Sequence, residues 1–385
     1  MASEIRYPGR PMPKTAILRA PDAVAAFMPL YSFLQSRIDE GLVPGAVIAA
    51  GRGRGKMHRA ELGRRALEPR VEAMTERTIF DLASLTKPMV TAPLVLELAA
   101  EGALGFGDPV ERHIKELRGS AAGAVSLSSL LTHTSGLAAM NPMEDYQRGK
   151  AQLYAALAGE PVEAAPEERF VYSDVGYMLL QGVAERITGT SLDRIARERL
   201  FRPLGFKDTR FRPLASDRSR IAPTEREQGA QGPWLRGKVH DPRARSRAMA
   251  GVAGNAGLFG TVEEVARFCQ MLLRGGLSSA AGGRRVLRRE TVRLMTTNQC
   301  RPGLGVRRGF GFDIESPYDS PRGALFSGES YGHSGYTGVS MWVDPVNDAY
   351  FVLLTNSLHA GGHKDLKAFR SEAGTLAARA LGIER

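Results

Sequence analysis

Strand-like segments lie near both ends of this chain with a long helical stretch between them, and few folds accommodate that order. Residues 23–40 place Phe27, Leu30, Phe33, Leu34 and Ile38 at helical spacing, which predicts an amphipathic helix. A strand over 46–50, a glycine-arginine turn over 51–55 and a weaker strand near Glu61 come next. From Ser84 to about Ile187 the pattern is helical, broken by Pro and Gly loops at 105–109 and 136–142, and Ser191 and Asp193 open a short helix toward Leu200. A glycine-rich connector over 251–260 leads to a helix capped by Thr261. Strands then read over 310–314, 339–344 and 349–355, and a helix over 364–381 closes the chain.

Terminal strands can share one sheet only by pairing across the intervening chain. The expected fold is α+β: an antiparallel β-sheet flanked by helices, with an inserted mostly helical lobe. The expected boundaries are an N-terminal extension over 1–22, a sheet lobe over 23–83 and 250–385, and a helical lobe over 84–249. A cleft between lobes is the natural place for a site.

Composition narrows the function classes. Hydrophobic content of 43% and charged content of 24% are ordinary for a globular protein, and Glu97 and Glu101 interrupt the nearest approach to a membrane span. Lys plus Arg number 52 against 41 acidic residues, giving +11, yet the arginines are dispersed and no nucleic-acid motif accompanies them. We therefore expect no nucleic-acid or membrane partner. The basic, proline-punctuated N-terminus lacks the apolar stretch of a secretory signal, so a cytoplasmic protein is expected. Cys269 and Cys300 make neither a disulfide framework nor a metal motif, and Cys269 falls in an apolar-periodic run that predicts a core position. No metal or other cofactor is expected.

Chemistry is carried by three short motifs in order. Ser84 and Lys87 are three apart, so at a helix start they share a face, with the serine where free backbone N–H groups can receive an oxyanion. Pro88 disfavours helical geometry at Lys87, so the turn is expected to be distorted. Tyr172 precedes Ser173, Asp174 and an apolar-periodic run. A nearby ammonium would favour its phenolate and let it act as a base, while Asp174 is placed to cap the following helix. Gly332-His333-Ser334-Gly335 leads into Tyr336-Thr337-Gly338 and a strand, where the Tyr336 N–H could join that of Ser84 as an oxyanion donor.

As one set, Ser84-Leu85-Thr86-Lys87, Tyr172-Ser173-Asp174 and His333-Ser334-Gly335 resemble the motifs of the serine β-lactamase and penicillin-binding protein superfamily, closest to class C β-lactamases, D,D-peptidases and family VIII carboxylesterases. The resemblance covers roughly residues 25–380, with secondary signatures at 131–137 and 254–259. It implies Ser84 as the acylated nucleophile, Lys87 and Tyr172 sharing base and acid work, and His333, Ser334, Gly335, Tyr336 and Asp174 lining the substrate or oxyanion site. Two departures stand out. Asp174 replaces an asparagine whose amide binds the substrate, and a carboxylate cannot donate that bond; it would also hold Lys87 protonated. His333 replaces a lysine, and a neutral imidazole anchors anions poorly. The resemblance then implies a small-molecule ester or amide substrate and, first, a carboxylesterase of small or medium esters. D,D-peptidase, D-aminopeptidase, transacylase and weak β-lactamase activities, or a vestigial site serving as a sensor or scaffold, are the alternatives.

Other patterns compete. Gly328-Glu329-Ser330-Tyr331-Gly332 matches a nucleophile elbow with Asp344 and His359 in suitable order, but the elbow needs a strand before it and a helix after, whereas the residues after Gly332 are glycine-rich and β-like. His359 and His363 have helical ligand spacing, but Gly361 and Gly362 break the helix, so solvent-facing loop histidines are expected. For His240-Asp241, a loop hydrogen bond is expected rather than a dyad.

Overall fold

The computed structural model describes residues 21–227, 231–278 and 283–384, so most of the expected N-terminal extension lies outside the described residues. In chain order the strands are β1 (Gly45–Arg52), β2 (His58–Ala66), β3 (Glu72–Ala73), β4 (Phe80–Asp81), β5 (Arg210–Phe211), β6 (Leu258–Gly260), β7 (Arg307–Arg308), β8 (Asp313–Glu315), β9 (Tyr331–Ser334), β10 (Ser340–Asp344) and β11 (Ala349–Thr355). Eight form an antiparallel sheet in the order β3-β2-β1-β11-β10-β9-β8-β7, with Ala46 opposite Thr355 and Arg52 opposite Ala349. This is the expected α+β architecture, closed by pairing the first strand with the last.

Both faces of the central strands are buried, and period-two alternation assigns the residues. Ala46, Ile48 and Ala50 of β1, with Phe351 and Leu353 of β11 and Trp342 of β10, pack under the helices Pro21–Asp39 and Lys367–Ala380. Phe33 and Phe369 stack between those helices at 5.8 Å. Val47, Ala49, Val352 and Leu354 face the other way, toward the helix Val262–Leu273 and the larger core, where Cys269 is buried.

Three local expectations change. The 251–260 connector contains β6, which pairs with β4 and β5 in a small second sheet beside the site. The strand expected over 310–314 is displaced to Asp313–Glu315: Gly311 adopts φ +97, and a Cβ there would come within 2.7 Å of the Ala92 Cβ, so the chain bends. The helix Arg289–Thr296 is not among the expected elements, although Thr291, Val292 and Met295 give it a buried face at helical spacing.

Many of the dispersed arginines are held in ion pairs, among them Arg199–Glu101, Arg212–Asp193, Arg220–Asp208 and Arg236–Glu72. Among the described residues no helix is long and apolar enough to cross a membrane.

Glu72 ties the β3 edge to the 231–241 segment, accepting from Arg236 at 2.8 and 2.6 Å and from Arg65 at 2.9 Å, and hydrogen bonding to Arg236 leads in holding its carboxyl at about 2. Because its folded-state value is depressed, the stability it contributes is present above the ordinary carboxylate range and is lost as pH falls toward about 2. We expect Glu72→Gln to remove on the order of 2–3 kcal/mol at neutral pH and to flatten the acid limb of a denaturant-midpoint titration.

Candidate active site

Ser84 enters the site on a turn that is not a regular helix. Ala83–Leu85 is a 3-10 turn, Lys87–Thr91 is a π turn in which the Ala92 N–H donates to the Lys87 carbonyl, and only Ala92–Ala100 is α-helical. Pro88 is the cause: it has no N–H for the Ser84 carbonyl and crowds the preceding turn. Ala83 adopts φ +45, a conformation that costs a non-glycine residue on the order of 1–3 kcal/mol, and the surroundings hold it. Its N–H donates to the Asp81 carboxylate at 2.9 Å, and its carbonyl accepts from the Thr86 hydroxyl at 2.6 Å.

Lys87 is fully buried. Its Nζ donates to Ser84 Oγ at 3.1 Å and to the Asn255 carbonyl at 3.1 Å, and it lies 2.7 Å from Asp174 Oδ1. The Asp174 contact is one of charge rather than an aligned hydrogen bond, since Oδ1 is off-line. The same ammonium lies 4.8 Å from the Tyr172 ring centroid and 5.7 Å from that of Tyr177. Sequence motifs about 90 residues apart thus meet at one nitrogen.

Asp174 is the first residue of the helix Asp174–Thr188, but it is not the cap; Ser173 fills that position and accepts from the Gly176 N–H. Its carboxylate is free to face Lys87. The Ser173 N–H donates to His133 Nδ1 at 3.0 Å, and His133, at φ +61, packs its ring 4.4 Å from that of Tyr172. The 131–137 and 254–259 signatures therefore supply the imidazole beside Tyr172 and the carbonyl on Lys87.

The expectation that Tyr172 is eased toward phenolate is reversed. Burial first, and then the Asp174 carboxylate, push its phenol well above the ordinary range, outweighing the hydrogen bond with Ser84 and the field of Arg308 that act the other way. Tyr172 rests as a phenol.

His333, Ser334 and Gly335 form the end of β9 and the turn after it. Gly335 packs directly on the serine turn: a Cβ there would meet Val339 Cγ2 at 2.5 Å, the Leu82 carbonyl at 3.0 Å and Ala83 Cβ at 3.2 Å. Among the described residues nothing accepts the Ser84 or Tyr336 amide hydrogens, which leaves both available. Burial, with Lys87 and Arg308, holds His333 well below its ordinary value, so it is a neutral imidazole bonded at Nδ1 to the Ser334 carbonyl at 2.7 Å.

The competing motifs do not assemble. Ser330 is buried, and Asp344 is spent on Ser327 and the 346–347 turn. His359 is buried rather than solvent-facing, because its Nε2 accepts the Leu67 N–H at 2.9 Å; His363 is exposed as expected. His240 and Asp241 are not a dyad: Asp241 caps Pro242–Arg245 and accepts from Asn255, while the His240 N–H donates to Asp81.

Several residues at the site carry no sequence signal. Asp81 is buried at its centre, accepting from the Ala83 and His240 N–H groups through its carboxylate and from the Thr337 hydroxyl through its carbonyl at 2.8 Å. Tyr318 stacks on Tyr172 at 4.7 Å and 10°. Arg308 and Arg370 are buried cations; the latter donates to the Gly335 carbonyl at 2.7 Å. Tyr318, Arg308 and Arg370 border a cleft of about 770 Å³ that reaches Ser84, Tyr172, Asp174, His333 and Tyr336. Three of its rim residues, Met140, Tyr318 and Tyr336, are exposed large apolar side chains. Among the described residues no cluster could hold a metal ion.

The family model described as Beta-lactamase matches residues 31–375. A protein of Escherichia coli K12 named "Putative D-alanyl-D-alanine carboxypeptidase" is 33% identical over 322 residues, 76% of this chain and 72% of that protein. Among solved structures, a class C β-lactamase superposes with TM-score 0.74 at 20% identity, covering 96% of this chain and 99% of that one. EstCE1, a hydrolase with promiscuous acyltransferase activity, gives 0.70 at 22% identity, covering 94% of this chain and 97% of its own.

Two outcomes test the geometry. Gly335→Ala would drive a Cβ into Val339 and crowd Leu82 and Ala83 of the serine turn, so an activity that depends on Ser84 should fall about 100-fold, with a smaller change in Tm. Asp174→Asn removes the largest charge opposing Tyr172 ionisation. The rising alkaline limb of a pH–rate profile should move about one unit lower, at a cost of about 3 kcal/mol for leaving Lys87 buried without its counter-charge.

Proposed function

The chain belongs to the β-lactamase family of serine hydrolases, and from that premise we propose that it is a carboxylesterase of small or medium esters acting through an acyl-enzyme on Ser84. The observation that carries the reading is the convergence of Ser84 Oγ and Lys87 Nζ at 3.1 Å, beside Tyr172 and two unengaged amide hydrogens in an open cleft. As Ser84 Oγ attacks the ester carbonyl, the Lys87–Tyr172 pair, having lost one proton, takes the hydroxyl proton; the Ser84 and Tyr336 amides receive the oxyanion, and the pair returns that proton to the departing alkoxide. Water then attacks the acyl-Ser84 carbonyl, releasing the acid and restoring the hydroxyl. The reactive form is the cluster that has lost one proton, so the rate rises with pH.

Ester over β-lactam is favoured by Asp174 and His333. An acceptor-only carboxylate engaged with Lys87 cannot donate to an acylamide, and a neutral buried imidazole offers no charge to a β-lactam carboxylate. A D,D-carboxypeptidase is the second reading. Its support is the name of the Escherichia coli relative and Arg370, a cation on the cleft wall able to meet a peptide carboxylate. We also place the protein in the cytoplasm, where its two unpaired cysteines stay reduced, which cell fractionation tests.

A turnover panel of p-nitrophenyl acetate and butyrate, nitrocefin and a D-Ala-D-Ala peptide separates the readings. We expect the esters to exceed nitrocefin by at least about 100-fold in kcat/KM, a difference of about 2.7 kcal/mol in barrier; comparable nitrocefin rates would sink the ester preference. Fluorophosphonate should label Ser84 stoichiometrically and leave Ser84→Ala untouched, whereas labelling at Ser330 would overturn the assignment of the nucleophile.

A further inference from the structure

A second buried cation stands beside the site without an evident structural reason. The Arg308 side chain is 2% exposed, and its only ion pair among the described residues is Nη1 to Asp313 Oδ1 at 3.1 Å. Nε and Nη2 meet no acceptor among the described residues. Asp313 is itself shared with the Ser320 hydroxyl. A guanidinium carries five donors, and burying it costs several kcal/mol that one shared carboxylate offsets poorly.

Its surroundings are aromatic. The guanidinium carbon lies 5.3 Å from the Phe170 ring centroid, and Phe170 stands edge-on to His133 at 6.3 Å and to Tyr318 at 6.4 Å. Those two rings are the ones packed on Tyr172, at 4.4 and 4.7 Å. Arg308 therefore borders the ring cluster that encloses Tyr172, and it lines the same cleft.

We propose that Arg308 is a positioning residue for the reaction: a fixed buried cation that sets the proton balance of Tyr172 against the carboxylate of Asp174. The proposal rests on the serine-hydrolase reading of Ser84. Two carboxylates, Asp174 and Asp319, push the phenol up, and Arg308 is the cation that acts the other way, alongside the hydrogen bond with Ser84. The imidazoles of His133 and His333 face the same space and are held neutral, with Arg308 contributing to both.

The rate at which a fluorophosphonate labels Ser84, measured from about pH 6 to 10, reads this balance without needing a substrate. In Arg308→Gln we expect the alkaline limb to move up by about one unit, making labelling about tenfold slower on the rising limb, and Arg308→Lys to restore it. Arg308→Gln leaves Asp313 buried without its partner. The double variant Arg308→Met with Asp313→Asn leaves no orphaned charge, and its limb should move up as well. Folded variants that label more slowly at every pH with the limb unmoved would reduce Arg308 to a packing residue and overturn the proposal, as would a limb that Lys fails to restore. Ester turnover by the same proteins separates the two readings. Labelling without ester hydrolysis sinks the carboxylesterase alone, while a wild-type Ser84 that never labels removes both.

Discussion

A fully buried ammonium is the constraint around which this site is built. Taking the Lys87 charge out of water costs several kcal/mol unless oxygens surround it, and the chain supplies them from three places: the serine turn, the start of Asp174–Thr188 and the 254–257 loop. Each is positioned by a different part of the fold. The serine turn comes directly after β4, Asp174 is set by the Ser173 cap, and the Asn255 carbonyl is set by contacts of the residue before it, with the Gly254 N–H donating to Gln181 at 2.8 Å and the Gly254 carbonyl accepting from Thr91 at 2.6 Å. Satisfying one nitrogen thereby fixes the relative placement of segments that the sequence holds far apart.

Periodicity and local residue type control the parts of the fold that are legible in the sequence. The β1 and β11 pairing comes from two short apolar runs that have to bury both faces, and the terminal helices come from their apolar stripes. Pro88 announces a distorted turn because its effect is local. Long-range partners are not legible: Asp81 and Arg308 occupy unremarkable sequence positions, and only the tertiary fold brings His240, Thr337 and Phe170 to them. The expected Asp174 cap fails because Ser173, one residue earlier, meets the same chemical requirement and leaves Asp174 for Lys87. His359 reads as exposed because the glycines after it suggest a loop, and nothing local reveals that Leu67 needs an acceptor there.

The electrostatics of the site differ from those its motifs alone suggest. The ion pairs Lys87–Asp174 and Arg308–Asp313 are packed around aromatic and imidazole rings, with the buried Asp81 and Arg370 close by. Neutral imidazoles at His133 and His333 add hydrogen-bonding direction without charge. The rim carries exposed Met140, Tyr318 and Tyr336 alongside the exposed charges of Asp365 and Lys367, so an incoming molecule meets apolar and charged surface together.

Asp81 joins the strained serine turn to residues 240 and 337, so the turn is held only when chain from both sides of the helical middle is in place. Thr337 follows Ser84 by about 250 residues, and the β9–β10 hairpin that carries it pairs with β11, later still. A growing polypeptide emerging from the ribosome therefore carries Ser84 without the framework that holds its turn until β9 to β11 have been made.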